Sequence, residues 1–248
     1  DSRRAAGYVG RMSLWTRISD ALAALTKGEG LTAVFDHLRG AAAPERSVGF
    51  TIAVIALGAK MAKADGEVTR DEVSAFRRFF QIPPEEEANA ARVYNLARQD
   101  VAGFDLYARK VAALFNKSAE PLCADTRNVL VDILEGLFQI AMADGHYHPA
   151  EDAFLAEVAR IFSLDDRCFR VLRGRFVDGA PRDPYDVLGL THDASLAQAR
   201  AAWRAAVKDS HPDVMIARGV PAEAVKLAER RLIAINQAWD EIQTRKAA

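Results

Sequence analysis

The pentapeptide Ala62-Lys63-Ala64-Asp65-Gly66 returns 79 positions later as Ala141-Met142-Ala143-Asp144-Gly145, and a glutamate, Glu72 or Glu151, follows each aspartate by seven. A duplication restricts the fold strongly, because both copies must adopt one local structure. Each Asp-Gly is preceded by a long apolar helical pattern. Each is followed by a short one ending in aromatics, with Phe76, Phe79 and Phe80 in the first copy, Phe154 and Phe162 in the second. Two more helical patterns, residues 85–101 and 104–117, lie between the copies, bounded by Pro83-Pro84, Gly103 and Pro121. Two copies are too few for a solenoid, which needs three or more. The pattern predicts one all-α domain over residues 47–177, closed by a helix at 165–177 bearing Arg167, Arg170, Arg173 and Arg175.

Residues 1–46 read as an N-terminal extension. Residues 12–27 are amphipathic, with Leu14, Trp15, Ile18, Leu22 and Leu25 on one side, and Gly28-Glu29-Gly30 breaks the pattern. Residues 31–39 make a second short helix with Val34, Phe35 and Leu38 inward, and residues 41–46 a linker. Only Arg17 and Lys27 add positive charge to the first helix, too little for an interfacial anchor, so it is expected to pack on the next domain or on a partner. Residues 1–11 are left out of the fold reading. The longest apolar run, residues 48–59, stops at Lys60, short of the ~18 residues of a membrane span. A net charge of −1 argues against bulk nucleic-acid binding. Cys123 and Cys168 are far apart and off any metal-ligand spacing, which fits two buried thiols in a reduced, cytoplasmic compartment.

The C-terminal stretch, residues 183–248, is organised around His211-Pro212-Asp213. Upstream, a short helical pattern from Ser195 to Ser210 places Arg200, Arg204 and Lys208 at i, i+4, i+8 on one face. Leu196, Ala199, Trp203 and Ala206 form a separate apolar stripe on the same pattern. Downstream, Ala228, Leu232, Ile235, Trp239 and Ile242 give a long helix its seam, so the two helices are predicted to pack antiparallel. Pro212 cannot continue a helix and biases His211 toward extended backbone, so the tripeptide is expected on an exposed turn. Nine Lys/Arg balance nine Asp/Glu in residues 183–248, with the positive charge gathered on one face. His211 as general base with Asp213 as its orienter would need a pocket and a nucleophile, and neither accompanies them. No phosphate loop or catalytic triad occurs elsewhere, so the chain is expected not to be an enzyme.

Taken together, residues 183–190 (Asp-Pro-Tyr-Asp-Val-Leu-Gly-Leu), the basic helix, His211-Pro212-Asp213 and residues 235–239 (Ile-Asn-Gln-Ala-Trp) resemble a J-domain of the DnaJ family. The run 214–221 before the long helix is similar to the DjlA branch in particular. Residues 47–164, with Asp-Gly at each turn and Glu seven positions on, resemble the TerB domain named from tellurite resistance. DjlA-type proteins join these parts in this order, with residues 178–182 as the linker here. The resemblance implies a TerB-like helical bundle plus a small J-domain helical hairpin. It implies a co-chaperone that stimulates ATP hydrolysis by a DnaK-type chaperone. Arg200, Arg204 and Lys208 would dock on an acidic surface of that partner, His211 and Asp213 would make the switching contacts, and Pro212 would fix their geometry. DjlA proteins characteristically carry an N-terminal membrane anchor, which would add peripheral inner-membrane association.

The sequence departs from that pattern on the basic helix. Asp209-Ser210 and Val214 flank the tripeptide where an aromatic or Gln-aromatic pair and a lysine are common, and Ala201 and Ala205 stand at two often-basic positions. Trp203 and Trp239 occupy common tyrosine positions as core anchors. No glycine/phenylalanine-rich segment or zinc repeat is present, so an unidentified client is expected to be met by the TerB-like part. The recurrent acids Asp65, Glu72, Asp144 and Glu151 admit two readings. They could form a shared Ca²⁺ or Mg²⁺ site, making the chain a metal-binding stress-response scaffold with the J-domain as accessory. Alternatively they are helix caps: Thr69-x-x-Glu72 is a capping box, His148-Pro149-x-Glu151 a helix start, and Gly66 and Gly145 end the preceding helices.

Overall fold

The computed structural model describes residues 13–25, 29–39, 43–65, 82, 84–100, 102–115, 124–221 and 226–247. Among them every regular element is helical. The order is α1 (Leu14–Ala23), α2 (Thr32–His37), α3 (Ala43–Asp65), a 3-10 turn (Pro84–Glu86), α4 (Glu87–Gln99), α5 (Phe104–Phe115), α6 (Ala124–Ala141), α7 (Pro149–Ile161), α8 (Asp166–Phe176), α9 (Pro184–Val187), α10 (Leu196–Asp209), α11 (Pro212–Arg218) and α12 (Lys226–Ala247). Glu72, Gly66, Phe76, Phe79, Phe80 and Cys123 fall outside the described residues, as does the side chain of Asp65.

α3 is the axis of the larger part. It is apolar on every side, and a helix of that kind must be surrounded. Val48, Phe50, Ile52, Ala53, Val54, Ile55, Ala56, Leu57 and Ala59 are all buried, and α1, α4, α5, α6, α7 and α11 pack around them. The helix begins at Ala43, where the sequence reads as a linker, and runs past Lys60. Lys60 is buried without breaking it, because its ammonium donates to the Asp100 carbonyl at 2.7 Å and lies 5.0 Å from the centre of the Tyr107 ring. α1 and α2 pack as expected: Trp15, Ile18, Leu22, Val34 and Phe35 enter the same core, Phe35 meets Tyr107 edge-on, and Lys110 pairs with Asp36.

The duplicated helices α3 and α6 lie against each other at the centre. After α6, Gly145 adopts φ +84 and ends the turn. Pro149 then opens α7 at its first position, with His148 as the extended N-cap and Glu151 accepting the His148 backbone N–H at 3.0 Å. That reciprocal capping satisfies amides the first turn would leave unpaired.

A second, smaller core lies in the C-terminal part. Tyr185, Leu188, Ala199, Ile235, Ala238 and Ile242 are its buried members, and α10 and α12 form its hairpin. Trp203 stacks on Trp239 at 5.5 Å and donates its indole N–H to Asn236 Oδ1 at 2.9 Å. Leu196, predicted in the apolar stripe, is instead 46% exposed, at the first residue of α10.

Candidate functional site

The basic ridge is on α10. Ser195 caps the helix, its hydroxyl accepting the Gln198 N–H at 3.2 Å while Gln198 Oε1 accepts the Ser195 N–H at 2.8 Å. With Ala199 turned into the small core, Arg200, Arg204 and Lys208 emerge on the opposite, exposed side. Among the described residues none of the three is held in an ion pair. Positive charge left unpaired along one face is free to meet an external anion.

The ridge ends at a corner. α10 stops at Ser210, which is buried, and α11 begins two residues later. His211 is extended (φ −66, ψ 136) and Pro212 takes the first helical position, where its missing N–H would have had no partner. The tripeptide, expected on an exposed turn, is exposed but opens a helix, because Pro212 is compatible with a first helical position. His211 caps this following helix: its Nδ1 accepts the Asp213 backbone N–H at 3.2 Å. With Nδ1 so used, the neutral ring carries its proton on Nε2, directed away from the cap. The side chains of His211 and Asp213 are 60% and 87% exposed and stand 3.7 Å apart. Two such solvated groups can bind and donate, but lack the dry surroundings in which acid–base chemistry is effective.

The two acids of the second repeat whose side chains are described take local roles. Asp144 Oδ1 accepts the His146 N–H at 2.8 Å, and Glu151, 4% exposed, caps α7. Tyr147 stacks on Phe138 and donates to Asp152 at 2.9 Å; burial and that carboxylate push its phenol well above the usual range. No cluster of three or more His, Cys, Asp or Glu suited to a metal ion occurs among the described residues. Cys168 is a free, half-buried thiol whose pKa burial raises to about 11. Among those residues no helix is long and apolar enough to cross a membrane.

Sequence reasoning placed Arg167, Arg170 and Arg175 on one helix but missed that they, with Arg182 and Arg231, join the two parts. From α8, Arg167 donates to the Tyr185 carbonyl at 2.9 Å and to the Leu190 carbonyl, and its Nε lies 2.8 Å from Asp186. Arg170 reaches the same carboxylate at 3.4 Å. Arg182 donates to Gln237 and Glu241, each at 3.0 Å, tying the 178–182 segment to α12. Deepest is Arg231 of α12, which pairs with Asp132 and, at 2.6 Å and 3.2 Å, with both oxygens of Glu135; Arg175 also pairs with Glu135. All four side chains are at most 11% exposed. Burial alone would raise the Glu135 carboxyl, but two guanidiniums outweigh it and hold it below the ordinary range. Asp132 goes the other way: burial raises it, and its single strong partner does not compensate. A signal existed in the sequence, since Asp132 and Glu135 sit three apart inside an apolar helix, on the face of Phe138.

Comparison with known proteins agrees with this anatomy. The sequence model of the family described as tellurite resistance protein TerB matches residues 51–174, which includes nearly all of α8. The chain is 28% identical over 228 residues to a protein named co-chaperone protein DjlA from Photobacterium profundum, covering 82% of this chain and 79% of that one. It is 24% identical over 273 residues to the protein of that name from Escherichia coli K12, covering 95% and 99%, and 26% identical over 205 residues to that from Coxiella burnetii, covering 74% and 72%. No solved structure matches. The chain belongs to the tellurite resistance protein TerB family through residues 51–174 and, over most of its length, is similar to proteins named co-chaperone protein DjlA.

Proposed function

We propose that the chain is a co-chaperone whose C-terminal part acts as a J-domain on a DnaK-type, heat-shock-protein-70 family chaperone and stimulates its ATPase. The observation that carries this reading is the exposed ridge of Arg200, Arg204 and Lys208, unpaired among the described residues, running into the solvated His211-Pro212-Asp213 corner. Charges along a ridge raise the encounter rate with an acidic partner and orient it. Their reach is about 8 Å at physiological ionic strength, so they place the corner without themselves supplying specificity. His211 Nε2–H and the Asp213 carboxylate then offer one donor and one acceptor at a rigid point. The names of the relatives support a co-chaperone role, and the bond-making would be the partner's. His211→Gln keeps the size but alters the cap and the donor. It is expected to abolish stimulation of a purified DnaK-type chaperone's ATPase without changing the helical circular dichroism; unaltered stimulation removes the reading.

The TerB-like part would supply targeting or ion sensing. The alternative of a Ca²⁺- or Mg²⁺-binding stress-response scaffold draws on the recurrence of Asp65 and Asp144 at matching positions of the sequence repeat. Calorimetric titration against an Asp65→Asn/Asp144→Asn variant decides it, and absence of heat leaves the acids as caps.

A further inference from the structure

We propose that the N-terminal helical core is the holder of the His211-Pro212-Asp213 corner, and that Met215, Val220 and Arg231 are positioning residues for it. This rests on the reading above that the corner is the switching element.

α11 is seven residues long, and isolated helices shorter than about 12 residues are marginal in water. Its order must therefore come from what it packs on. Its neighbours are α6 and α3 as well as α10. Met215 and Val220 are fully buried, and both belong to the large core built on α3, not to the small core of the C-terminal hairpin. Leu227 and Ala228, at the start of α12, enter the same large core. The run 214–221 is thus a plug from the C-terminal part into the N-terminal one.

The plug is fixed at its far end too. Gly219 closes α11 at φ +106, a conformation that strains any other side chain, and an added Cβ there would lie 2.8 Å from Arg46 Cβ. Arg218, buried, turns back to donate to the Asp209 carbonyl at 2.9 Å, bracing α11 against the last turn of α10. Arg231, one turn beyond Ala228, pins α12 onto Asp132 and Glu135 of α6.

This changes what sets the geometry of the corner. α10 belongs to the small core and α11 to the large one, and only Ser210 and His211 separate them. The angle at His211 is therefore the angle between the two parts. The α10 ridge can bind a partner wherever α11 points, but the tripeptide faces that partner correctly only while the plug is seated.

The test uses the full chain carrying Met215→Ala or Arg231→Met, the latter also combined with Asp132→Asn, so that Glu135 keeps Arg175 and no buried charge is stranded. Hydrogen exchange read by mass spectrometry is expected to speed up at residues 212–220 by about tenfold or more, while residues 196–209 stay nearly as protected as before. In titrations of a purified DnaK-type chaperone, these variants are expected to lower the plateau of ATPase stimulation several-fold at an unchanged half-saturating concentration. Arg204→Ala is expected to do the reverse, raising the half-saturating concentration and sparing the plateau. A merely structural loss would move both parameters together with the circular dichroism. Unchanged exchange at 212–220, or an unchanged plateau in a variant whose plug has loosened, overturns the proposal. If His211→Gln leaves stimulation intact, the functional reading falls instead, and the exchange data still decide whether the core holds α11.

Discussion

The two parts of the molecule are built on different balances of forces. The N-terminal part has a continuous apolar core, with α3 enclosed on all sides and aromatics such as Phe138 stacked in the middle against Phe176 and Tyr147. Among the described residues the C-terminal part has six buried hydrophobic residues in its own core and a stacked tryptophan pair at its edge. Small domains bury a smaller fraction of their surface and are correspondingly marginal. What the smaller part lacks in core it receives as hydrogen bonds and ion pairs from α8 and α6, and as the α11 plug. The lesson is an asymmetry of dependence: the larger part carries its own stability, and the smaller one borrows some of it.

Core truncations should expose that asymmetry most plainly. Phe138→Ala, at a fully buried ring, is expected to destabilise by about 3–5 kcal/mol and to loosen both parts, since α6 carries Asp132 and Glu135 as well. Ile242→Ala, equally buried, is expected to remove about 2–5 kcal/mol from the C-terminal part alone. Calorimetric melting combined with hydrogen exchange separates the outcomes. If Ile242→Ala opens α3 as much as Phe138→Ala does, the dependence runs both ways and the comparison is wrong.

Acid should loosen the joint before it loosens the cores. Glu135, held below its ordinary value of 4.5 by Arg231 and Arg175 against the opposing effect of burial, contributes stability that is fully present above that pH. The contribution is lost as pH falls through the folded-state value beneath it. Asp132 has the opposite sign: its folded value is raised by burial, so its protonation on the way down favours the folded state and partly offsets the loss. Arg175 and Arg231 stay charged throughout. Exchange at residues 226–235 is therefore expected to quicken below about pH 4.5 in the native chain, and Glu135→Gln should flatten that dependence. A native profile as flat as that of the variant would show that the ion pairs do not secure the joint.

How far the sequence disclosed this arrangement follows from the range of each interaction. Features set within one or two turns were legible: the Ser195 start of α10, the Pro149 start of α7 with Glu151 as cap, the apolar run that became the buried α3, and the exposed spacing of Arg200, Arg204 and Lys208. Features that depend on a distant partner were not. α11 was hidden because Pro212 reads as a breaker until its neighbours show that it sits at a first helical position. Met215 looks like one apolar residue in an irregular run until α3 and α6 supply the hole it fills. Arg231 and Glu135 are 96 residues apart, and local periodicity says nothing about such pairs. The charged residues on otherwise apolar faces of α6 and α12 were the available clue.

The smallest test compares two caps of similar worth. Removing the side-chain acceptor from an N-cap typically costs about 1 kcal/mol. Ser195→Ala takes that from α10, whose inner face rests on the small core; Glu151→Gln weakens the reciprocal bond, from the His148 N–H to the third residue's side chain, on α7, which is packed into the large one. If each part stood on its own core alone, each loss would appear in its own part in proportion to its size. If the smaller part is held by α8 and the plug, Ser195→Ala should instead fray only the first turn of α10. Faster exchange would then be confined to about residues 196–200, with the melting of the whole chain unmoved within about a degree. Glu151→Gln should lower that melting temperature by a few degrees, because α7 contributes Phe154, Leu155 and Val158 directly to the core that carries everything else. Equal shifts from the two substitutions would mean that α10 is as central to cooperative unfolding as α7, and that the C-terminal part is no appendage of the N-terminal core.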